Sequence, residues 1–282
     1  MKISFVKLWI ISLWRLLKNK IRTFYFNSQQ YNQSLKATPA SRNYDIHNAH
    51  ILGELQDKNT KNYILAKQFK KNLWKIDSLK QERIDNLHKF SWLPHVDIKK
   101  EKDLAKTIID AWLEKNNNFQ SSTWDLLIVT NRIIFWITSP SLTIRHDDLI
   151  YRTKITNSIL KQCIHLSKNI SHLHNKKDRI YALFSLILAG TTFEGHKKFT
   201  DSSLKILNNQ LKNILDKKNV VENRNIQDQF WILHHLILIK ESLFLAQYPM
   251  PEFLEERIEQ LGKIYASLLY SNETIPLFNG AK

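Results

Sequence analysis

The chain has 282 residues, 43% of them hydrophobic with eight Trp, so it holds enough apolar surface for a large core and is not a disordered chain. Its 42 Lys and Arg against 26 Asp and Glu give a formal charge of +16, which favours acidic partners. With a single cysteine, Cys163, an intramolecular disulfide and a cysteine-based zinc site are both excluded.

Only five Gly and six Pro punctuate the sequence, mostly between helix-periodic segments, which predicts long helices joined by short loops. Residues 1–26, "MKISFVKLWIISLWRLLKNKIRTFYF", form an apolar stretch interrupted by Lys7 and Arg15, without the small-residue cleavage site of a signal peptide. With Trp9 and Trp14 on its apolar side and Lys18, Lys20 and Arg22 behind, this segment reads either as a helix lying on a membrane surface or as one packed on the domain or a partner. Residues 27–59 are polar and aperiodic and predict an extended connector.

The domain proper is expected over residues 60–282. "NYILAKQFKKNLWKIDSLK" fits helix or strand, and "LHKFSWLPHVD" a short aromatic turn ended by Pro94. "KDLAKTIIDAWLEKN" sets Leu104, Ile108, Ala111 and Trp112 on one helix face, ended by the Asn run from Asn116. "SSTWDLLIVTNRIIFWITSP" reads as a central helix, capped at Ser122 or Thr123 and stopped by Pro140, because it is apolar nearly all round. A long amphipathic helix follows, around Cys163, whose apolar setting marks it as a buried thiol. "DRIYALFSLILAGTTF" is a second nearly all-apolar helix, expected to end at Gly190. Three more helices complete an alternation of apolar and amphipathic elements. Paired antiparallel helices around an α/α toroid produce such an alternation, and so does an irregular bundle.

Candidate functional residues are sparse. His234 and His235 are adjacent on one helix and point about 100° apart, so they are not a metal-ligand pair; no metal or cofactor is expected. Arg224 and Asn225 stand at a helix N-terminus, where a guanidinium and an amide can together hold a carboxylate, or Asn225 can simply cap the helix. Trp124, Arg132 and Trp136 fall at four- and eight-residue offsets on one helix stripe, which can bind acidic sugar rings or pack in the core. An Arg-rich recognition helix and an aromatic RNA-binding strand are both lacking, so nucleic acid is not an expected partner.

The order of the pieces "LHKFSWL" (87–93), "WDLLIVTNRIIFW" (124–136), "ILAG" (187–190), "ENRNI" (222–226) and "LFNGA" (277–281) resembles the heparinase II/III family of polysaccharide lyases. The resemblance implies an all-α (α/α) toroid, an acidic, uronate-containing polysaccharide as substrate, cleavage by β-elimination, and a periplasmic location, while the lack of a cleavage site leaves a cytoplasmic or peripheral inner-membrane location as the alternative. It implies that Arg224 and Asn225 neutralise the uronate carboxylate. It also implies that the "FNG" turn leads into a β-sandwich, so that the chain is expected to be the helical half of a two-domain lyase, inactive without a separate β-sandwich chain. In place of the family's Gly-Gly-His this chain has Val220, Val221 and Glu222, so the resemblance carries over no base. The other reading is a binding module without catalysis, for an anionic glycan or membrane surface, or the remnant of a split gene.

Overall fold

The computed structural model describes residues 2–40, 60–76 and 79–268. Among them the elements are α1 (Lys2–Phe26), α2 (Gln29–Ser34), α3 (Lys61–Phe69) running into a 3₁₀ turn (Lys70–Lys75), α4 (Gln81–His88), α5 (Ile98–Asn116), α6 (Leu126–Thr138), α7 (Leu149–Asn169), α8 (Lys176–Thr192), α9 (Lys197–Lys212), α10 (Ile226–Leu245) and α11 (Glu252–Leu268). The described residues contain no named strand, only an isolated antiparallel bridge between Leu215 and Val221.

The expected alternation takes shape as two layers of an α/α toroid. The apolar helices α6, α8 and α10 pack side by side, and the amphipathic α7, α9 and α11 back them from outside. α8 sits at the centre, buried almost continuously from Ile180 to Thr192, because it has neighbours on every side and nowhere to present a polar face.

Asx caps set several of the helix starts. Asp97, Asp148, Asn175 and Asn225 each accept a backbone N–H of the first turn of α5, α7, α8 and α10. The cap of α6 differs from expectation. Asp125, not Ser122 or Thr123, accepts from Leu127 and Ile128 N–H, because Trp124 is drawn out of the helix by its indole bond to the Asn116 carbonyl, 2.8 Å.

Gly190 also differs. It lies inside α8, which continues to Thr192, and its service is spatial: an added Cβ would stand 2.3 Å from Thr200 Oγ1 and 2.7 Å from Thr200 N. α9 crosses so closely there that only a hydrogen fits.

The segment expected as an extended connector is seated on the domain at its start. α2 buries Tyr31 against Phe26, Phe119 and His165, and the Tyr31 hydroxyl bonds His165 Nδ1 at 2.6 Å. Lys168 Nζ reaches the Ser34 carbonyl at 2.9 Å, and His196 Nε2 meets the Thr38 carbonyl at 3.0 Å. Residues 41–59 and the "LFNGA" motif lie outside the described residues.

Candidate functional site

The turn between α9 and α10 is a small, heavily bonded loop. Asp216 Oδ1 accepts from the N–H groups of Lys218 and Val220, and Gln229 clamps the turn from α10 by accepting from Val221 N and donating to the Asn219 carbonyl, both at 2.9 Å. Asn219 and Arg224 take left-handed backbone, φ 60° and 54°, which bends the chain sharply into α10.

The two predicted residues, adjacent in sequence, go to different partners here. Arg224 is exposed and its Nη2 lies 2.7 Å from Asp216 Oδ2. Three attachments, the backbone N–H groups first and then the Arg224 guanidinium, hold the Asp216 carboxyl below the ordinary range. Asn225 spends its Oδ1 on the N–H groups of Gln227 and Asp228, the capping role allowed for it, which leaves its amide nitrogen as the donor for another partner.

Beside this turn a cleft of about 370 Å³ opens between the N-termini of α8 and α10, with Lys177, Asn223, Asp228 and Ile232 in its lining. Lys177 Nζ bonds Asp228 at 2.6 Å and stands 5.9 Å from the Trp231 ring centroid. Burial raises the Asp228 pKa, but Lys177 and the Asn223 amide outweigh it and hold the carboxyl below its usual value.

Deeper along the inner helices, His235 stacks on Trp231 at 3.7 Å and meets the Tyr181 ring edge-on at 5.6 Å; the Tyr181 hydroxyl donates to Asn131 Oδ1 at 3.2 Å. His235 Nδ1 lies 2.8 Å from the Trp231 carbonyl, which can only accept, so Nδ1 carries the proton and Nε2 the lone pair. Burial, against that backbone bond, pulls His235 down to about 4 and keeps the ring neutral. Burial also pushes the Tyr181 hydroxyl up, which keeps it a proton donor.

Sequence reasoning missed Lys177, Tyr181, Asn131 and Trp231. The available signal was a polar or aromatic residue interrupting an otherwise apolar helix, as Asn131 does within "LLIVTNRIIFW".

The expected sugar-binding stripe is a correction. Trp124, Arg132 and Trp136 are 1%, 0% and 0% exposed, so they lie in the core and present no surface to a ligand. Arg132 Nε donates to Gln162 Oε1 at 2.6 Å, and Nη1 to the carbonyls of His88 and Thr123 at 3.1 and 3.0 Å. The "LHKFSWL" motif belongs to the same knot: His88 Nδ1 accepts from Trp112 Nε1 at 2.8 Å, and Phe90 packs on both Trp112 and Trp136. Cys163 is fully buried, and burial raises its thiol pKa, which makes it inert. Among the described residues no group of three or more His, Cys, Asp and Glu is placed to hold a metal ion, and no helix is long and apolar enough to cross a membrane.

No family model matches the chain, and no curated protein matches it in sequence. Among solved structures its fold is similar to that of the heparan sulfate lyase HepC from Pedobacter heparinus, with 15% identity and a TM-score of 0.64 over 88% of this chain and 44% of that one. It is also similar to a heparinase III gene product, with 15% identity and a TM-score of 0.63 over 80% of this chain and 42% of that one. The chain thus spans less than half the length of the solved structures it matches, and at this identity the likeness is one of fold.

Proposed function

We propose that this chain supplies the helical part of a lyase that cleaves an acidic, uronate-containing polysaccharide by β-elimination. The observation that carries the reading is the fold, which aligns along most of this chain with less than half of a heparan sulfate lyase.

The chemistry fixes what the helical half must supply. A base removes the proton next to the uronate carboxylate, the freed electron pair forms a carbon–carbon double bond, and the bond to the leaving oxygen breaks with its pair going to that oxygen, which takes up a proton. That proton is only weakly acidic, so the carboxylate must first be neutralised. In this proposal Arg224 exchanges Asp216 for the substrate carboxylate, and the Asn225 amide nitrogen donates a second hydrogen bond to it. The nearby cleft, with Lys177 at its edge, receives the neighbouring sugar.

The test is the ultraviolet absorbance of the unsaturated uronate, followed with a panel of acidic polysaccharides. A steady rise with at least one of them is expected; a protein that binds the polysaccharide but never gives a rise would refute the lyase reading.

One observation favours a second reading, binding without catalysis. Arg224 is already paired with Asp216, and the Asn225 oxygen is already spent on the helix, an arrangement suited to holding an anion in exchange for an internal carboxylate. In either reading α1 is proposed to rest on an anionic membrane surface. Trp9, Trp14, Ile21 and Phe24 are more than half exposed along it, and residues 1–26 carry Lys and Arg without a single Asp or Glu.

A further inference from the structure

On the outer side of the domain, away from the α9–α10 turn, a cleft of about 750 Å³ lies between α2 with the chain that follows it, the turn after α5, and α7. Most of its lining residues carry side-chain amides, among them Gln29, Gln33, Asn118 and Asn157. Among the described residues the only charged groups that line it are Lys36 and Lys161, and no carboxylate does.

This composition is specific in chemical terms. A side-chain amide both donates and accepts, as a sugar hydroxyl does, so a wall of amides pairs with a polyhydroxylated ring in many registers. Two ammonium groups without a facing carboxylate call for an anion. Lys161 shows how the site is poised. Its Nζ donates to the Asn117 carbonyl at 2.7 Å and to Asn118 Oδ1 at 2.8 Å, both neutral acceptors, which leaves one of its three N–H groups for a ligand. Partial burial, and then the repulsion of Lys36, lower its pKa to about 8.

From this geometry we infer that the cleft between α2, the α5–α6 turn and α7 is a binding site for an anionic saccharide, with Lys36 and Lys161 taking its acidic group and the amides its hydroxyls. The inference stands on residues remote in sequence from Arg224 and Asn225 and does not rest on the lyase reading.

Because an anion between the two lysines raises the pKa of Lys161, binding near pH 8 takes up protons, and affinity falls as the pH rises through that value. Titration calorimetry of the full chain tests this, with trigalacturonate as probe, maltotriose as the uncharged sugar and sodium sulfate as the sugar-free anion. The expected result is that trigalacturonate binds, that maltotriose and sulfate each bind at least about tenfold more weakly, and that Lys161→Met or Asn157→Asp weakens trigalacturonate by about tenfold or more. Proton uptake by the unmodified chain, read by repeating the titration in buffers of different ionisation enthalpy, serves even where a variant fails to fold. Repeating the titration in Arg224→Ala with Asn225→Ala, which removes the proposed lyase site, is expected to leave in place the component of binding that Lys161→Met abolishes, which separates the cleft from that site. Absence of trigalacturonate binding, equal affinity for sulfate, full affinity in both folded variants, or binding without proton uptake near pH 8 would each overturn the inference.

Discussion

The guanidinium of Arg132 lies 4.3 Å from the centroid of the Trp112 ring, a cation held against an indole at the centre of the domain. Burial drives the Arg132 pKa down, and among the described residues no carboxylate pairs with it; Gln162, two backbone carbonyls and the Trp112 and Trp136 faces share the charge. Arg132→Ala removes this hub and leaves the Gln162 oxygen and both carbonyls without their donor. It is expected to destabilise the fold by about 3–5 kcal/mol, read as a fall in the urea midpoint. Arg132→Lys is expected to recover only part of this, since an ammonium cannot reproduce the fork or the stacking.

Gly190→Ala is expected to destabilise by about 2–3 kcal/mol even though alanine is the better helix former by about 1 kcal/mol. The added methyl meets the Thr200 backbone nitrogen, which can yield only if α9 moves. Thermal unfolding of the variant checks this; an unchanged or higher midpoint would contradict the close crossing of α8 and α9.

Four buried histidines, His88, His146, His165 and His235, make stability depend on pH, each held below its ordinary pKa by burial. Burial pulls His88 to about 3 and His165 and His235 to about 4, from an ordinary 6.5. Between those values the unfolded chain binds protons that the folded chain refuses, so stability is full above about pH 6.5 and falls as the pH drops toward 4. Each of His88, His165 and His235 contributes a slope of about 1.4 kcal/mol per pH unit in that window. Urea unfolding at a series of pH values should show the slope, and His235→Gln should reduce it by one proton's worth.

Asn225→Ala should cost about 1 kcal/mol through the lost cap of α10, whereas exposed Arg224→Ala should leave stability nearly unchanged. If the pair holds a uronate carboxylate, both substitutions abolish binding or cleavage at that site. Measuring stability and glycan turnover on the same samples separates capping from function.

On vesicles rich in anionic lipid, Trp9→Ser combined with Trp14→Ser is expected to reduce cosedimentation several-fold without moving the unfolding midpoint, because both rings are 67% exposed. Added salt should weaken binding of the unmodified chain as the basic residues of α1 are screened.

The all-α class and most helix positions were legible in the sequence because helices are made locally. A capping Asx residue, a 3.6-residue apolar period and a proline stop act within a few turns, so α5 ends at the Asn run and α6 ends before Pro140 as expected. The Arg224–Asn225 pair was legible for the same reason, as a polar dipeptide at a helix start.

What tertiary structure decided is which way each surface turns. α6 is apolar nearly all round, so its letters mark no outward side, and only packing against α4, α7 and α8 places Trp124, Arg132 and Trp136 inside. Gly190 read as a helix end because glycine often is one, and only the crossing of α9 shows that its missing side chain makes room. The cleft lysines Lys36 and Lys161 stand 125 positions apart, and Lys177 meets Asp228 across 51. Such meetings follow from how helices dock on one another, which no local pattern encodes.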